Sequence, residues 1–233
     1  MDYTSPWALR ARRLGTKLGI LRPLLRAWQS LLRIDYEEAF DRATQARIRP
    51  GDCVWDVGAN EGLYTRRFAG LVDGEGQVVA FEPAPATFDR LVTNTADLPT
   101  IVNLQLALST ESGEASFFYS ETSDVESGLS RASGGEDAQE MKVRVERGDV
   151  VAADYPPNMI KIDVEGFELQ VLEGLAQTLA SAMLHTVAVE VHFQTMAKRG
   201  LSDGPERLTR LLRGNGFALD WTDPSHLIAR RVT

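Results

Sequence analysis

The sequence predicts an α/β fold built on a mostly parallel sheet with helices on both faces. From residue 50 onward, short apolar runs alternate with stretches of helical periodicity, the order that parallel strands joined by crossover helices require. The runs, such as Cys53-Val54-Trp55-Asp56-Val57, are nearly continuous in apolar residues, as strands buried on both faces are. A length of 233 residues suits one sizeable core and is short for two.

Residues 5–33 read as two helical pieces broken at Pro23, which removes a backbone donor and clashes with the preceding turn. Leu14, Leu18, Leu21, Leu25, Trp28 and Leu32 recur every three or four positions as one apolar stripe, with Arg10, Arg13 and Lys17 on another face. We therefore divide the chain into a helical cover, 1–34, and a main domain, 35–233. Arg49 to Asp52 is a turn, 53–57 a strand and Gly58 to Gly62 a loop. Leu63, Phe68 and Leu71 fit one face of the helix that follows.

Residues 77–81 form the second strand, 84–96 a helix and 101–106 the third strand. Residues 115–119 and 141–145 read as strands flanking 120–140, a segment too polar to bury and expected as a mobile surface loop. Met159 to Val164 is a strand, followed by a helix with Glu168, Leu172, Leu175 and Leu179 aligned. Thr186 to Val191 is a further buried strand. Ser202 to Glu206 starts a helix with proline in its first turn, and Gly214 to Gly216 ends it. Residues 217–221 and 227–232 suit a closing antiparallel pair.

Charge divides the chain unevenly. Residues 1–34 hold seven Lys/Arg and one Asp, leaving 18 Lys/Arg against 32 Asp/Glu in the remainder, for a net charge of −8. An acidic body argues against nucleic acid as partner, since phosphate binding needs a basic face. The basic leader is expected as a cover on the main domain, the alternative being a segment that rests on an anionic membrane surface through residues 1–33. No apolar run approaches the ~20 residues of a spanning helix, and the start lacks a secretory signal, so a cytoplasmic location is expected. Cys53 and three scattered histidines offer no zinc-type spacing, and Cys53 is expected as a small buried apolar residue. Nothing in the pattern encodes an oligomeric state.

Gly58-Ala59-Asn60-Glu61-Gly62 between a strand and a helix places backbone N–H groups at the strand's C-terminal end, where open α/β sheets bind ligands. Glu82, twenty positions beyond Gly62 and at the end of the next strand, stands where an acid accepts hydrogen bonds from ribose hydroxyls. The loop lacks the G-x-G-x-x-G order of a pyrophosphate site. It is preceded by Asp56, whose carboxylate suits a cationic amino-acid group. S-adenosylmethionine (SAM), with its ammonium and sulfonium, meets both conditions. Asp56, Gly58, Asn60, Gly62 and Glu82 are the expected cofactor residues.

Asp56-Val-Gly-Ala-Asn-Glu-Gly-Leu-Tyr-Thr65, Phe81-Glu82-Pro83, Ile160-Lys-Ile-Asp-Val-Glu-Gly-Phe-Glu168 and Leu172-Glu-Gly174 resemble, in this order, the FkbM family of SAM-dependent methyltransferases over about residues 50–195. The resemblance implies a class I methyltransferase fold, Rossmann-like, with a mostly parallel seven-stranded sheet. It also implies methyl transfer to a hydroxyl oxygen of a sugar, glycan or natural-product acceptor, and makes Asp163 and Glu165 active-site residues. Asp163 ends its strand on the same sheet edge as Gly58 and Glu82, within reach of cofactor or acceptor. Glu165 is expected to begin the next helix, with Glu168 complementing that helix's N-terminus.

Glu190 and His192 project to one face at the next strand's end. A histidine of near-neutral pKa oriented by a carboxylate suits a general base for a hydroxyl acceptor, although such pairs are as often plain surface contacts. The catalytic candidates are thus His192, Asp163, Glu165 and Glu190. A metal held by Asp163, Glu190 and His192 is a weaker reading, and no metal is expected. His185 and His226, in expected loops, carry no functional reading. Two rivals stay open: an NAD-dependent oxidoreductase on a related fold, and a non-catalytic SAM-binding scaffold whose basic leader is the working part.

Overall fold

The computed structural model describes residues 3–5, 7–8, 36–119, 128–129 and 139–232. In chain order they form α1 (Tyr36–Gln45), β1 (Cys53–Val57), α2 (Leu63–Ala69), β2 (Gln77–Phe81), α3 (Pro85–Thr95), β3 (Ile101–Leu104), β4 (Ala107–Ser109), β5 (Gly113–Tyr119) and β6 (Gln139–Arg147). There follow α4 (Gly148–Val151), β7 (Met159–Ile162), α5 (Glu168–Glu173), α6 (Ala176–Ala180), β8 (Thr186–Glu190), α7 (Phe193–Lys198), α8 (Gly204–Gly214), β9 (Phe217–Trp221) and β10 (His226–Arg231).

Seven strands make the main sheet in the order β3-β2-β1-β7-β8-β10-β9. All neighbours are parallel except β10, which is antiparallel to both β8 and β9. The chain steps outward from β1 to β3 and returns past β1 to β7. The strand order therefore reverses between β1 and β7, and a crevice opens beyond their C-terminal ends. A second sheet, β4-β6-β5, contains the two strands expected around the polar segment, here Gly113–Tyr119 and Gln139–Arg147.

Strand alternation supplies two cores. Cys53, Trp55 and Val57 face one side with Phe81, Ile160, Ile162, Leu169 and Leu172, whereas Val54 faces the other with Phe40, Phe68, Val78, Met159 and Ile228. Trp55 lies in the first core and donates its indole N–H to the Tyr155 carbonyl at 2.9 Å, so its polar atom is not stranded. Cys53 is buried, as expected for a small apolar residue, and burial pushes its thiol up to about 11.

Several boundaries differ from the sequence reading. The third strand stops at Leu104, because Leu106 N–H turns back to the Leu104 carbonyl, and β4 then joins the small sheet. The helix after β7 begins at Glu168: Glu165 (φ 53°) and Gly166 (φ 98°) are left-handed, a conformation an α-helix cannot include. That helix also divides at Gly174, which packs so tightly on the Ser109 carbonyl that a Cβ would overlap it. Of the expected apolar trio only Phe68 is buried; Leu63 is exposed because α2 turns Thr65, Phe68 and Ala69 inward, and Leu71, also exposed, lies beyond the end of α2. His226 is no loop residue, since it opens β10.

The leader stripe, the division of the chain at residue 34 and most of the 120–140 segment lie outside the described residues. Among those that are described, Tyr3 sets its ring edge-on to Trp221 and Thr4 hydrogen-bonds Thr209 of α8. Helix α1 packs on β10, with Phe40 stacked on the His226 ring.

Candidate active site

The site is assembled from the C-terminal ends of β1, β2, β7 and β8. After β1 the chain turns sharply: Gly58 (φ 81°), Asn60 (φ 50°) and Gly62 (φ 91°) are all left-handed. A Cβ on Gly58 would overlap the Asp163 carbonyl, so only glycine lets the loop lie against the end of β7. Gly58 and Ala59 N–H donate to the Phe81 carbonyl, and Asn60 N–H donates to Glu82 Oε2 at 3.1 Å. Ala84 N–H holds the other oxygen of Glu82 at 2.9 Å.

Glu82 is therefore fixed from both sides by backbone donors at the mouth of the crevice. Burial raises its pKa to about 7, against the pull of the two N–H groups. Each carboxylate oxygen keeps a further lone pair, enough to receive two hydroxyl donors of a ribose. The loop and Glu82 thus fit a nucleoside cofactor.

Asp56 is placed differently from expectation. It is fully buried, directly opposite Lys161 in the β1–β7 register, with Lys161 Nζ at 3.2 Å from Oδ1 and Thr65 Oγ1 donating to Oδ2 at 2.7 Å. Its charge is met inside the protein by Lys161, and it braces the loop from below. Lys161 also lies 3.6 Å from Asp163 Oδ2, reaches the Gly58 carbonyl at 3.4 Å and sits over the Tyr64 ring. Burial by itself would depress the Lys161 ammonium, but Asp56 and Asp163 outweigh it and raise its pKa.

Asp163, Glu165, Glu190 and His192 do converge. His192 Nδ1–H donates to Glu168 Oε1 at 2.7 Å. Its Nε2 lies 3.0 Å from Glu165, 3.7 Å from Glu190 and 3.9 Å from Asp163. Burial would lower its pKa, but Glu168 first, then Glu165 and Asp163, lift it to about 10. The surrounding carboxylates thus move His192 above the near-neutral value expected of it, toward its protonated form. Asp163, Glu165 and His192 offer ligand-type atoms within 4.8 Å of one another.

Glu165 does not start the helix; it stands in the strained turn before it. Glu168, read from sequence as a helix-end charge, is fully buried and joins the site by accepting from His192 and from Gly166 N–H at 2.8 Å. Arg199 holds the same turn by donating to the Gly166 carbonyl and packing on the Phe167 ring. Lys161, Glu168 and His226 are the site residues that motif reading passed over. The available signal was a charge inside a buried apolar strand, Ile160-Lys161-Ile162, which demands a partner. His185 bonds Asp52 at the opposite end of the sheet, away from the site.

A glycine turn at the strand-order reversal, a buried acid ending the second strand and the seven-stranded order with its one antiparallel member define a class I methyltransferase fold. Comparison bears this out. The Aeropyrum pernix fibrillarin structure with natively bound SAM superposes with a TM-score of 0.50 at 13% identity, over 84% of this chain and 74% of that one. Precorrin-6y C5,15-methyltransferase from Geobacter metallireducens gives 0.50 at 12% identity, over 82% and 87%. The profile of the methyltransferase FkbM domain matches residues 56–219, and the chain belongs to that family.

Hexuronic acid methyltransferase AglP of Haloferax volcanii is 36% identical over 172 residues, covering 72% of this chain and 64% of that protein. The 31-O-demethyl-FK506 methyltransferase FkbM of Streptomyces tacrolimicus is 29% identical over 205 residues, covering 74% and 75%. The chain thus spans a little under two thirds of AglP and three quarters of the Streptomyces enzyme. Family membership makes SAM the cofactor.

Two measurements check this geometry. Lys161→Met leaves Asp56 and Asp163 without their cation, and we expect a loss of about 3–5 kcal/mol in urea unfolding. Adding Asp56→Asn should restore part of it, and a single-variant loss under about 1 kcal/mol would contradict a buried ion pair. The second is pH dependence. His192 and His226, raised to about 10 and about 9 from an ordinary 6.5, contribute stability that is complete below pH 6.5 and lost as pH rises through those values. Unfolding free energy should fall between pH 7 and 10, and the fall should be shallower in His192→Gln; an identical slope would count against the imidazolium.

Proposed function

We propose that this protein transfers the methyl group of SAM to a hydroxyl oxygen of a sugar, glycan or natural-product acceptor. The observation that carries the reading is the placement of Glu82 and the Gly58–Gly62 turn on the same sheet edge as the carboxylate–histidine cluster ending β7 and β8. A nucleoside-binding half and a proton-handling half thus adjoin. The named activities of AglP and FkbM, a hexuronic acid methyltransferase and a 31-O-demethyl-FK506 methyltransferase, support the acceptor class.

In this reading Gly58, Asn60, Gly62 and Glu82 hold the nucleoside end of SAM, and Asp163 stands between cofactor and acceptor. Bound SAM supplies an electrophilic methyl on a sulfonium. Asp163, Glu165 and Glu190 align the acceptor hydroxyl and receive its proton, a role worth typically ~10²–10⁴-fold. His192 pairs with those carboxylates and fixes their orientation. Holding two reactants in line can itself contribute ~7–11 kcal/mol. The oxidoreductase rival is disfavoured by the loop order, which lacks a pyrophosphate cradle.

The test is transfer of labelled methyl from SAM to a panel of glycans and polyketide alcohols, in buffer with chelator. Turnover should persist without added metal. Glu82→Ala should weaken SAM binding roughly tenfold or more, since it removes charge-assisted hydrogen bonds. His192→Ala should keep SAM affinity while turnover falls by about tenfold to a hundredfold. SAM binding with no turnover on any acceptor would favour a scaffold, and NAD binding in place of SAM would favour the oxidoreductase.

The same reading keeps the protein in the cytoplasm, with residues 1–33 as a helical cover on the main domain and contact with an anionic membrane surface as its rival. No helix among the described residues is long and apolar enough to cross a membrane. Anionic liposomes should co-sediment the full chain and a variant lacking 1–33 equally, and better sedimentation of the full chain would favour the membrane contact.

A further inference from the structure

Behind the acceptor side lies a second buried charge pair that the roles above do not use. Asp223, in the turn between β9 and β10, is nearly inaccessible. Its Oδ1 accepts from Ser225 N–H (2.8 Å), Ser225 Oγ–H (3.0 Å) and His226 N–H (3.1 Å). Its Oδ2 accepts from Thr222 Oγ1–H (3.1 Å) and His226 Nδ1–H (2.7 Å). The turn itself therefore sets the orientation of this carboxylate.

His226, also buried, sits opposite Glu190 in the β8–β10 register, and its Nε2 lies 3.4 Å from Glu190 Oε2. Phe40 stacks on the ring at 4.4 Å between centroids and 30° between planes. The other oxygen of Glu190 lies 3.7 Å from His192 Nε2, and the Glu190 side chain is one-third exposed at the end of β8.

We propose that Asp223 and His226 are positioning residues for Glu190, a buried relay that fixes the direction in which this carboxylate meets the acceptor hydroxyl. Burying a polar pair is costly unless each atom is matched, and packing alone would be served by an apolar residue at 226. Here each ring nitrogen has a carboxylate partner, one locked by a turn and one open to the site. A strand-end glutamate without this tether samples several rotamers; with Oε2 held, Oε1 is directed to the place where the proton is received. Phe40 extends the relay to α1, so the seating of that helix and the alignment of Glu190 are linked. The proposal rests on the methyl-transfer reading above.

The experiment compares wild type, His226→Phe, His226→Gln, Asp223→Asn, Glu190→Gln and the Glu190→Gln/His226→Gln double variant. The acceptor is whichever panel member the wild type methylates fastest, and S-adenosylhomocysteine affinity is measured by calorimetry. His226→Phe, which keeps a ring for Phe40, should lower kcat about tenfold or more. Its S-adenosylhomocysteine affinity should stay within about twofold of wild type. His226→Gln, still able to donate to Glu190, should recover part of kcat. The double variant should be no slower than Glu190→Gln alone, because His226 acts through Glu190.

Unchanged kcat in a folded His226→Phe protein, or losses that multiply in the double variant, would overturn the proposal. Where His226→Phe does not fold, Asp223→Asn and the double-variant cycle decide between the two outcomes. Nitrogen-15 imidazole spectra separate this inference from the functional reading. Glu190→Gln should shift the Nε2 resonance of His226 and leave Nδ1 in place, whatever the acceptor. A wild type inactive on every acceptor refutes the functional reading, whereas an unmoved Nε2 refutes the relay.

Discussion

The site depends on one buried ion chain. Asp56 and Lys161 face each other across β1 and β7, the two strands between which the sheet reverses its order, and Lys161 carries the link on to Asp163. Asp56 and Lys161 are fully buried, where charges are tolerable only when paired, and Asp163 meets the same ammonium from the partly exposed strand end. The pairing fixes the relative position of the strand ends that frame the crevice. Thr65 closes the chain on the α2 side, and Tyr64 covers the ammonium. The glycine loop thus rests on a charged floor whose geometry leaves little freedom.

Beyond that floor the sheet edge carries an alternation of signs. Asp223, His226, Glu190, His192 and Glu168 follow one another at hydrogen-bond or ion-pair distance, with Glu165 and Asp163 alongside. Burial pulls Glu190 upward, but His226 and His192 outweigh it and hold its carboxyl below the usual range. Asp163 moves the other way, raised by burial against the attraction of Lys161. Neighbouring carboxylates therefore enter the site with different affinities for a proton, the condition under which one can orient while another exchanges. Glu165 pays for its place in the cluster with a left-handed backbone.

Much of this is legible in the residues. The apolar runs locate the central strands, the helical stretches between them require parallel pairing, and Gly58, Gly62 and Glu82 mark the mouth of the crevice without any contact information. Asp163, Glu165, Glu190 and His192 read as one acceptor-side group, and they do converge. The failures have a common physical cause. A pKa depends on how many charges share a volume, so His192, read alone with one carboxylate, resembles a near-neutral group, whereas the carboxylates around it raise its pKa. The buried partner of Asp56 goes unread because Lys161 lies more than a hundred residues away in the chain.

By itself, the sequence determined the α/β class, the crevice and the identity of its acidic residues, because periodicity and glycine placement are local properties that each segment carries. Tertiary structure alone decided which charges meet: Asp56 with Lys161, Glu168 with His192, and His226 with Glu190. Two of those pairs join different strands, and Glu168 with His192 joins a helix to the turn after β8. Their separation is set by sheet register, not by spacing along the chain, and electrostatic character inside a protein follows from that separation.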